Sequence, residues 1–313
     1  MEYRCLIVEK MHPSINEMLV GIGVVPDYRP SITKEEFYND IINYDGLIVR
    51  SKFNLDADII ERATRLKFVA RAGAGVDQID LEAAAKRTLV IVNAPEGNRD
   101  ALAEHAIGML LCLMNKMHFA DSQVRKGLWD REGNRGFEIK GKTIGLVGYG
   151  FMAKAFAQRL QSFGAKVVAY DKYLKGFTSE LVEEVSLEQL FEQTDIVSFH
   201  IPLTKETKGM VDLGFLNSFQ KNIWLLNTAR GEVLVLKDLN KAIENGKVIG
   251  AALDVLENEK LDQLSEDQKI EFEKLVNQPN VLLTPHVGGW THESYFKINQ
   301  VLVEKIKQVL FSH

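Results

Sequence analysis

The stretch T-I-G-L-V-G-Y-G-F-M-A, residues 143–153, decides how this chain is read. An apolar run from Ile144 to Val147 reads as a strand that enters a turn through Gly148 and Gly150. Gly148 permits a tight turn, and Gly150 lets the backbone come close to a pyrophosphate. A helix expected to begin near Met152 then aims its N-terminal N–H groups and positive dipole end at that phosphate. Phe151 and Met152 stand where a polar–apolar pair is more usual, so backbone contacts are expected from them. Ala153 in place of the third glycine is a tolerated change. A second apolar run, residues 166–170, ends at Asp171, about 20 residues beyond the glycines, where a carboxylate can bond the ribose hydroxyls of NAD and repel a 2′-phosphate. The NAD-binding turn starts near the middle of the chain, so a different unit must precede it.

At 313 residues the chain exceeds the size of most single cores, and two domains are the expectation. Its 46% hydrophobic content is that of a globular protein, and a net charge of -5 offers no basic footprint for nucleic acid or for an anionic membrane surface. Small anionic substrates would need locally placed arginines. Cys5 and Cys112 lie in apolar segments, as reduced thiols do, and no metal site is expected. The N-terminus becomes charged too early for a signal peptide, and the longest apolar run, residues 106–114, is far too short for a membrane span. A cytoplasmic protein is expected.

Before the turn, apolar runs at residues 5–8, 46–49, 66–70 and 89–92 alternate with helical patterns, as in β-α units on a parallel sheet. A loop over 93–99 leads to a helix expected over 101–117. After Asp171 further strands are expected at 195–200, 222–227, 248–254 and 280–284, then a helix over 293–311. The charged segment 258–276 reads as a solvent-facing helix. The fold class is therefore α/β, with two doubly wound parallel-sheet domains. The boundaries are drawn at 1–98 plus 288–313 for one, a flavodoxin-like substrate domain, and at 99–287 for an inserted Rossmann domain.

Three strand-end loops of the second sheet carry chemistry, at the place where ligands of open α/β sheets bind. N-T-A-R-G-E, residues 227–232, puts Arg230 on a tight turn where its planar fork can take a carboxylate. A-A-L-D-V-L-E-N-E, residues 251–259, offers Asp254 and Glu259. T-P-H-V-G-G-W-T-H, residues 284–292, places His286 after Pro285 and before Gly288 and Gly289, which let a cofactor come close. An imidazole, titrating near pH ~6.5, suits general acid–base work. His12, His105, His118, His292 and His313 read as structural.

The order of these loops after G-Y-G-F-M-A resembles the D-isomer-specific 2-hydroxyacid dehydrogenase family over almost the whole chain. The resemblance implies that Arg230 binds the substrate carboxylate, that His286 exchanges the proton, and that Glu259 pairs with His286 and favours the imidazolium that donates during reduction. It implies that Asp254 holds the nicotinamide amide, and that Ala74, His200, Ile201, Pro202, Thr228, Ala229, Gly288 and Gly289 lie against NAD.

L-I-V-R-S at 47–51, A-R-A-G-A-G-V-D at 70–77, N-A-P-E-G-N at 93–98 and G-L-W-D-R at 127–131 are most similar to members acting on 3-phosphoglycerate, in serine biosynthesis. That implies substrate contacts from Arg50, Ser51, Arg71, Ala74 and Gly75, and from Arg131 reaching the neighbouring subunit of a homodimer. Trp290 stands where such members usually carry a serine, Lys260 replaces a proline, and the chain ends without a regulatory domain, so serine feedback is not expected. Glyoxylate or hydroxypyruvate reduction is the nearest alternative. A non-catalytic NADH-sensing protein is a remote one.

Overall fold

A computed structural model of the chain describes residues 2–311; His313 lies outside them. Contacts divide the chain into two compact units, Met1–Asp100 with Trp290–His313, and Ala101–Gly289. Among the described residues no helix is long and apolar enough to cross a membrane.

The first unit holds five parallel strands, β1 (Tyr3–Ile7), β2 (Val24–Tyr28), β3 (Gly46–Val49), β4 (Phe68–Arg71) and β5 (Val90–Asn93), in the order β2-β1-β3-β4-β5. That is the flavodoxin-like order, with its switch point between β1 and β3. One face of the sheet buries Leu6, Phe37, Leu47 and Val69, and the other buries Cys5, Ile15, Ile48 and Phe68 together with Leu302 and Ile306 of the last helix.

The second unit holds β6 (Thr143–Val147), β7 (Lys166–Tyr170), β8 (Glu183–Glu184), β9 (Ile196–Phe199), β10 (Ile223–Asn227), β11 (Val248–Leu253) and β12 (Val281–Leu283). Their order is β12-β11-β10-β9-β6-β7-β8, every pairing parallel. This is the Rossmann arrangement, reversing between β6 and β9, and with the first sheet it bears out the expected α/β fold class. Strands buried on both faces read as unbroken apolar runs, which is why most were visible in the sequence.

Strand β2 was not anticipated, because Pro26 interrupts it. It lies at the edge of its sheet and pairs with β1 alone, so a missing N–H is tolerated there. Numbering the helices in chain order, α5 spans Pro95–Met114, not 101–117. Pro95 sits in its first turn, where a missing donor costs nothing and φ is already helical. Glu96 in that turn accepts from Lys305 Nζ at 2.8 Å. The helix stops before Lys116, whose φ of +53° is left-handed, and a separate helix α6 (Met117–Arg125) follows. In the charged segment 258–276 only α11 (Glu266–Val276) is a full helix. The Ser265–Gln268 capping box starts it, and the Asn258 side chain turns the chain upstream by accepting from Lys260 N. The last helix, α12, runs His292–Phe311.

Both cysteines are free. Cys5 is buried in β1, where burial pushes its thiol up, and Cys112 is half-buried on α5.

Candidate active site

At the carboxyl end of β6 the backbone of Gly148 has a φ of +90°, and a Cβ there would come within 2.6 Å of the His200 carbonyl oxygen. Only glycine fits. Gly150 is the N-cap of α7 (Phe151–Leu160) and brings no side chain to its own helix end, while a Cβ built on it would meet open space. The helix begins one residue before Met152. Its first-turn N–H groups are left for an anion, as the sequence requires of a pyrophosphate cradle. Ala153 is fully buried at the place of the third glycine, and Tyr149 stacks on Phe177 with centroids 4.6 Å apart.

Asp171 follows β7. Its carboxylate accepts from Tyr149 N at 2.9 Å, Tyr173 N at 2.9 Å and Leu174 N at 2.8 Å. Burial pushes its pKa up, but these three donors, with Lys175 nearby, outweigh it and hold the group below its ordinary value. Lys172, the adjacent cation, is bound to Glu206 at 2.5 Å. His200 follows β9, and its Nε2 lies 2.9 Å from Ser198 Oγ. Burial pushes its pKa down to about 4, so it is neutral at pH 7. Ile201 and Pro202 continue that loop. Thr228, after β10, is buried, and its Oγ1 has no hydrogen-bond partner among the described residues. A buried hydroxyl without a partner, an uncapped helix end and a side-chain-free turn together fit a dinucleotide.

Strands β10, β11 and β12 are parallel neighbours, so the loops bearing Arg230, Glu259 and His286 leave the sheet side by side. His286 Nδ1 lies 2.9 and 3.0 Å from the two Glu259 carboxylate oxygens, and both side chains are about half exposed. With Nδ1 occupied, Nε2 is the nitrogen that can meet a substrate. Arg230 Nη1 donates to Ala229 O at 2.6 Å, and Asn227 ties the turn by donating to Arg230 O at 3.0 Å and accepting from Ala229 N at 3.1 Å. A Cβ on Gly231 would overlap the Leu256 carbonyl, so the Arg230 turn packs directly on the loop that leads to Glu259.

His286 has a left-handed φ of +54°, and its neighbours hold it there. Its N–H points to Asp254 O at 2.8 Å and Thr284 O at 3.0 Å. The Asp254 side chain, 2% exposed, accepts from Val287 N at 2.9 Å, Gly288 N at 2.8 Å and Thr284 Oγ1 at 2.6 Å. Its carboxylate is thus committed to the protein's own loop. Burial pushes its pKa up, yet His105, Thr284 and the two backbone donors hold it below its ordinary value. His105, read from sequence as structural, joins this network. Its Nε2 lies 3.1 Å from Thr284 Oγ1 and 3.4 Å from Asp254 Oδ1. Since the Thr284 hydroxyl donates to Asp254, it accepts from His105, which places the His105 proton on Nε2. The signal available was spacing: His105 and Met109, one helical turn apart, both meet Thr284.

In the first unit Arg50 and Ser51 follow β3, and Ser51 N donates to both Glu9 carboxylate oxygens at 2.9 Å. Arg71 ends β4 with its guanidinium over Gly73, where a Cβ would fall on it. The Ala74 carbonyl accepts from Asn93 Nδ2 at 2.5 Å, with Gly75 next in the loop. Arg131 lies on the exposed turn 131–134.

Comparison with known proteins agrees with this geometry. Residues 107–288 match the family described as "D-isomer specific 2-hydroxyacid dehydrogenase, NAD binding domain". The chain is 33% identical to a D-3-phosphoglycerate dehydrogenase of Archaeoglobus fulgidus over 97% of its own length and 56% of that protein. It is 33% identical to a hydroxypyruvate reductase of Thermotoga maritima over 97% of both chains. Among solved structures, the PH0520 protein of Pyrococcus horikoshii OT3 is similar at a TM-score of 0.85 with 30% identity, over 99% of this chain and 92% of that one. The chain belongs to the D-isomer specific 2-hydroxyacid dehydrogenase family, and its second unit is the family's NAD-binding domain. It spans about half the length of the phosphoglycerate dehydrogenases it matches.

Two outcomes follow from the Asp254 network. Asp254→Asn removes a buried anion from among its donors and should cost about 3 kcal/mol of unfolding free energy at pH 7. Because the folded pKa is depressed, that contribution is present above the unfolded value of about 3.9 and is lost as pH falls through the folded one, so the gap between variant and wild type in urea titrations should close in acid. Gly288→Ala sets a Cβ 2.9 Å from Asp254 Oδ2 and 3.3 Å from the His105 ring. It should lower kcat/KM by roughly 100-fold through displacement of His286, with an unchanged far-UV circular dichroism spectrum.

Proposed function

We propose that this protein is an NAD-dependent D-2-hydroxyacid dehydrogenase that interconverts 3-phosphoglycerate and 3-phosphohydroxypyruvate, as a step of serine biosynthesis. The observation that carries this reading is the bidentate Glu259–His286 pair, standing beside the Arg230 turn at the edge of a sheet whose switch point fits a dinucleotide. NAD, when bound, would supply the hydride acceptor for C2 of the acid, and NADH the donor in the reverse direction.

The protein's own residues do the rest. Arg230 holds the substrate carboxylate through its planar fork. His286 Nε2 receives the C2 hydroxyl proton during oxidation and gives it to the 2-oxo oxygen during reduction. Glu259 fixes the ring through Nδ1 and stabilises the imidazolium. Gly148, Gly150 and the first turn of α7, through the backbone of Phe151 and Met152, hold the pyrophosphate, and Asp171 holds the adenosine ribose. His200, Ile201, Pro202, Thr228, Ala229, Gly288 and Gly289 complete that site, Asp254 serves the nicotinamide amide through the loop it holds, and Ala74 is proposed as a further cofactor contact. Arg50, Ser51, Arg71, Gly75 and Arg131 are the groups proposed for the phosphorylated end of the substrate.

A cytoplasmic homodimer is part of this reading. Pairing of subunits is supported by the exposed apolar side chains of residues 117–129, among them Met117, Val124, Leu128 and Trp129. A second reading, reduction of hydroxypyruvate or glyoxylate, is favoured by the Thermotoga maritima relative, which matches this chain end to end.

Steady-state NADH oxidation with 3-phosphohydroxypyruvate, hydroxypyruvate, glyoxylate and pyruvate side by side separates the two. The highest kcat/KM is expected with 3-phosphohydroxypyruvate, and a higher value with hydroxypyruvate would transfer the assignment to the second reading. His286→Ala should lower kcat by roughly 100- to 10,000-fold while NADH affinity, followed by fluorescence, stays within about twofold. Wild-type protein should use NADH more efficiently than NADPH, and Asp171→Asn should narrow that ratio; an NADPH preference in the wild type would overturn the role of Asp171.

A further inference from the structure

Trp290 is the residue of the first unit that the chemistry above leaves unused, and it sits on Arg50. The guanidinium carbon of Arg50 is 3.8 Å from the centroid of the indole. The ring is itself fixed by the start of α12. Thr291 caps that helix, with Thr291 Oγ1 accepting from Ser294 N at 3.0 Å and Ser294 Oγ accepting from Thr291 N at 2.9 Å. Trp290 therefore occupies the position before the cap and Tyr295 the fourth helical position. Their rings lie 5.0 Å apart, a hydrophobic staple across the helix entry. His12 meets Tyr295 edge-on at 5.7 Å and buttresses it.

The root of Arg50 is held as firmly. Its carbonyl accepts from Gln78 Nε2, and the next residue's N–H is clamped by Glu9. Glu9 is spent on that clamp, and the Arg50 guanidinium has no hydrogen bond or ion pair among the described residues. Burial pushes its pKa down, opposed by Glu9 and Tyr295. A partly desolvated cation without an acceptor is costly unless an anion completes it. Stacking covers a face of the guanidinium and leaves its in-plane N–H edges to bond two oxygens of one oxyanion.

We propose that Trp290 is a specificity-determining residue: by stacking on Arg50 it presents the guanidinium edge to the phosphate of a phosphorylated 2-oxo acid. This rests on the substrate reading above. In the first-half segments that resemble phosphoglycerate-acting members, this chain keeps the arginine, and it replaces their serine contact with a ring that acts through that arginine.

The test is kcat/KM for 3-phosphohydroxypyruvate and hydroxypyruvate with wild type, Trp290→Phe, Trp290→Ala and Arg50→Lys. A desolvated cation–π contact of about 1 to 2 kcal/mol corresponds to a loss of roughly 5- to 30-fold. Trp290→Ala should lose that factor with the phosphorylated substrate, mainly in KM, and change by less than about twofold with hydroxypyruvate. Trp290→Phe, which keeps a stacking face, should recover most of it, and Arg50→Lys, which cannot stack as a plane, should lose at least as much as Trp290→Ala with the phosphorylated substrate. Equal losses on both substrates, no loss, or a gain on the phosphorylated one would overturn the role of Trp290. Should Trp290→Ala not fold, Trp290→Phe and Arg50→Lys decide the same question. A wild type active on hydroxypyruvate alone would instead remove the substrate reading, and this inference with it.

Discussion

Asp254 is an anion buried almost completely at the end of β11, and an anion in that position has to be answered by donors. The donors come from the loop that follows β12: the hydroxyl of Thr284 and the N–H groups of Val287 and Gly288. Gathering them forces that loop into a tight arc with His286 at its crown in a left-handed backbone conformation, an arrangement a histidine adopts only when its surroundings over-determine it. The imidazole then lies where Glu259, whose loop leaves the adjacent strand, reaches Nδ1 with both oxygens. The geometry of the Glu259–His286 pair is in this sense a by-product of satisfying one carboxylate. His105 extends the same network to helix α5, so the orientation of the His286 ring is anchored to the core of its unit and not to the loop alone.

The cofactor side works by subtraction. Gly148 and Gly150 remove side chains where a pyrophosphate must approach, and α7 starts without a capping side chain of its own. The charges nearby are arranged so that little competes. Asp171 is kept ionised by backbone donors, Lys172 is occupied by Glu206, and His200 is kept neutral by burial. Phe151, half-exposed at the turn, adds no charge.

Much of this was legible in the residues. Parallel strands buried on both faces give apolar runs with no alternation, and these located ten of the twelve strands among the described residues; β2 hides behind Pro26, and β8 is a pair of glutamates too short and too polar to read as a strand. Helix ends were harder. Pro95 reads as a loop residue until one considers that the first turn of a helix has no use for its missing N–H. The pairing of Glu259 with His286, 27 residues apart, came from likeness to a family, because no local pattern encodes a contact across two loops. The Arg50–Trp290 stack was out of reach for the same reason: it depends on which loops a sheet order brings together. Trp290 stood out as a bulky departure, but its neighbour could be known only once the entry to α12 was seen.

The edges of the two sheets carry a last consequence. On β2 the outermost strand contains Pro26, and on the second sheet one border is β8, two residues long and made of glutamates, Glu183 and Glu184. Neither offers the flat row of free backbone donors on which another chain could extend a ladder. A protein built on two open sheets is in this way guarded at these borders against fibril-like growth, and copies that meet there must do so through side chains.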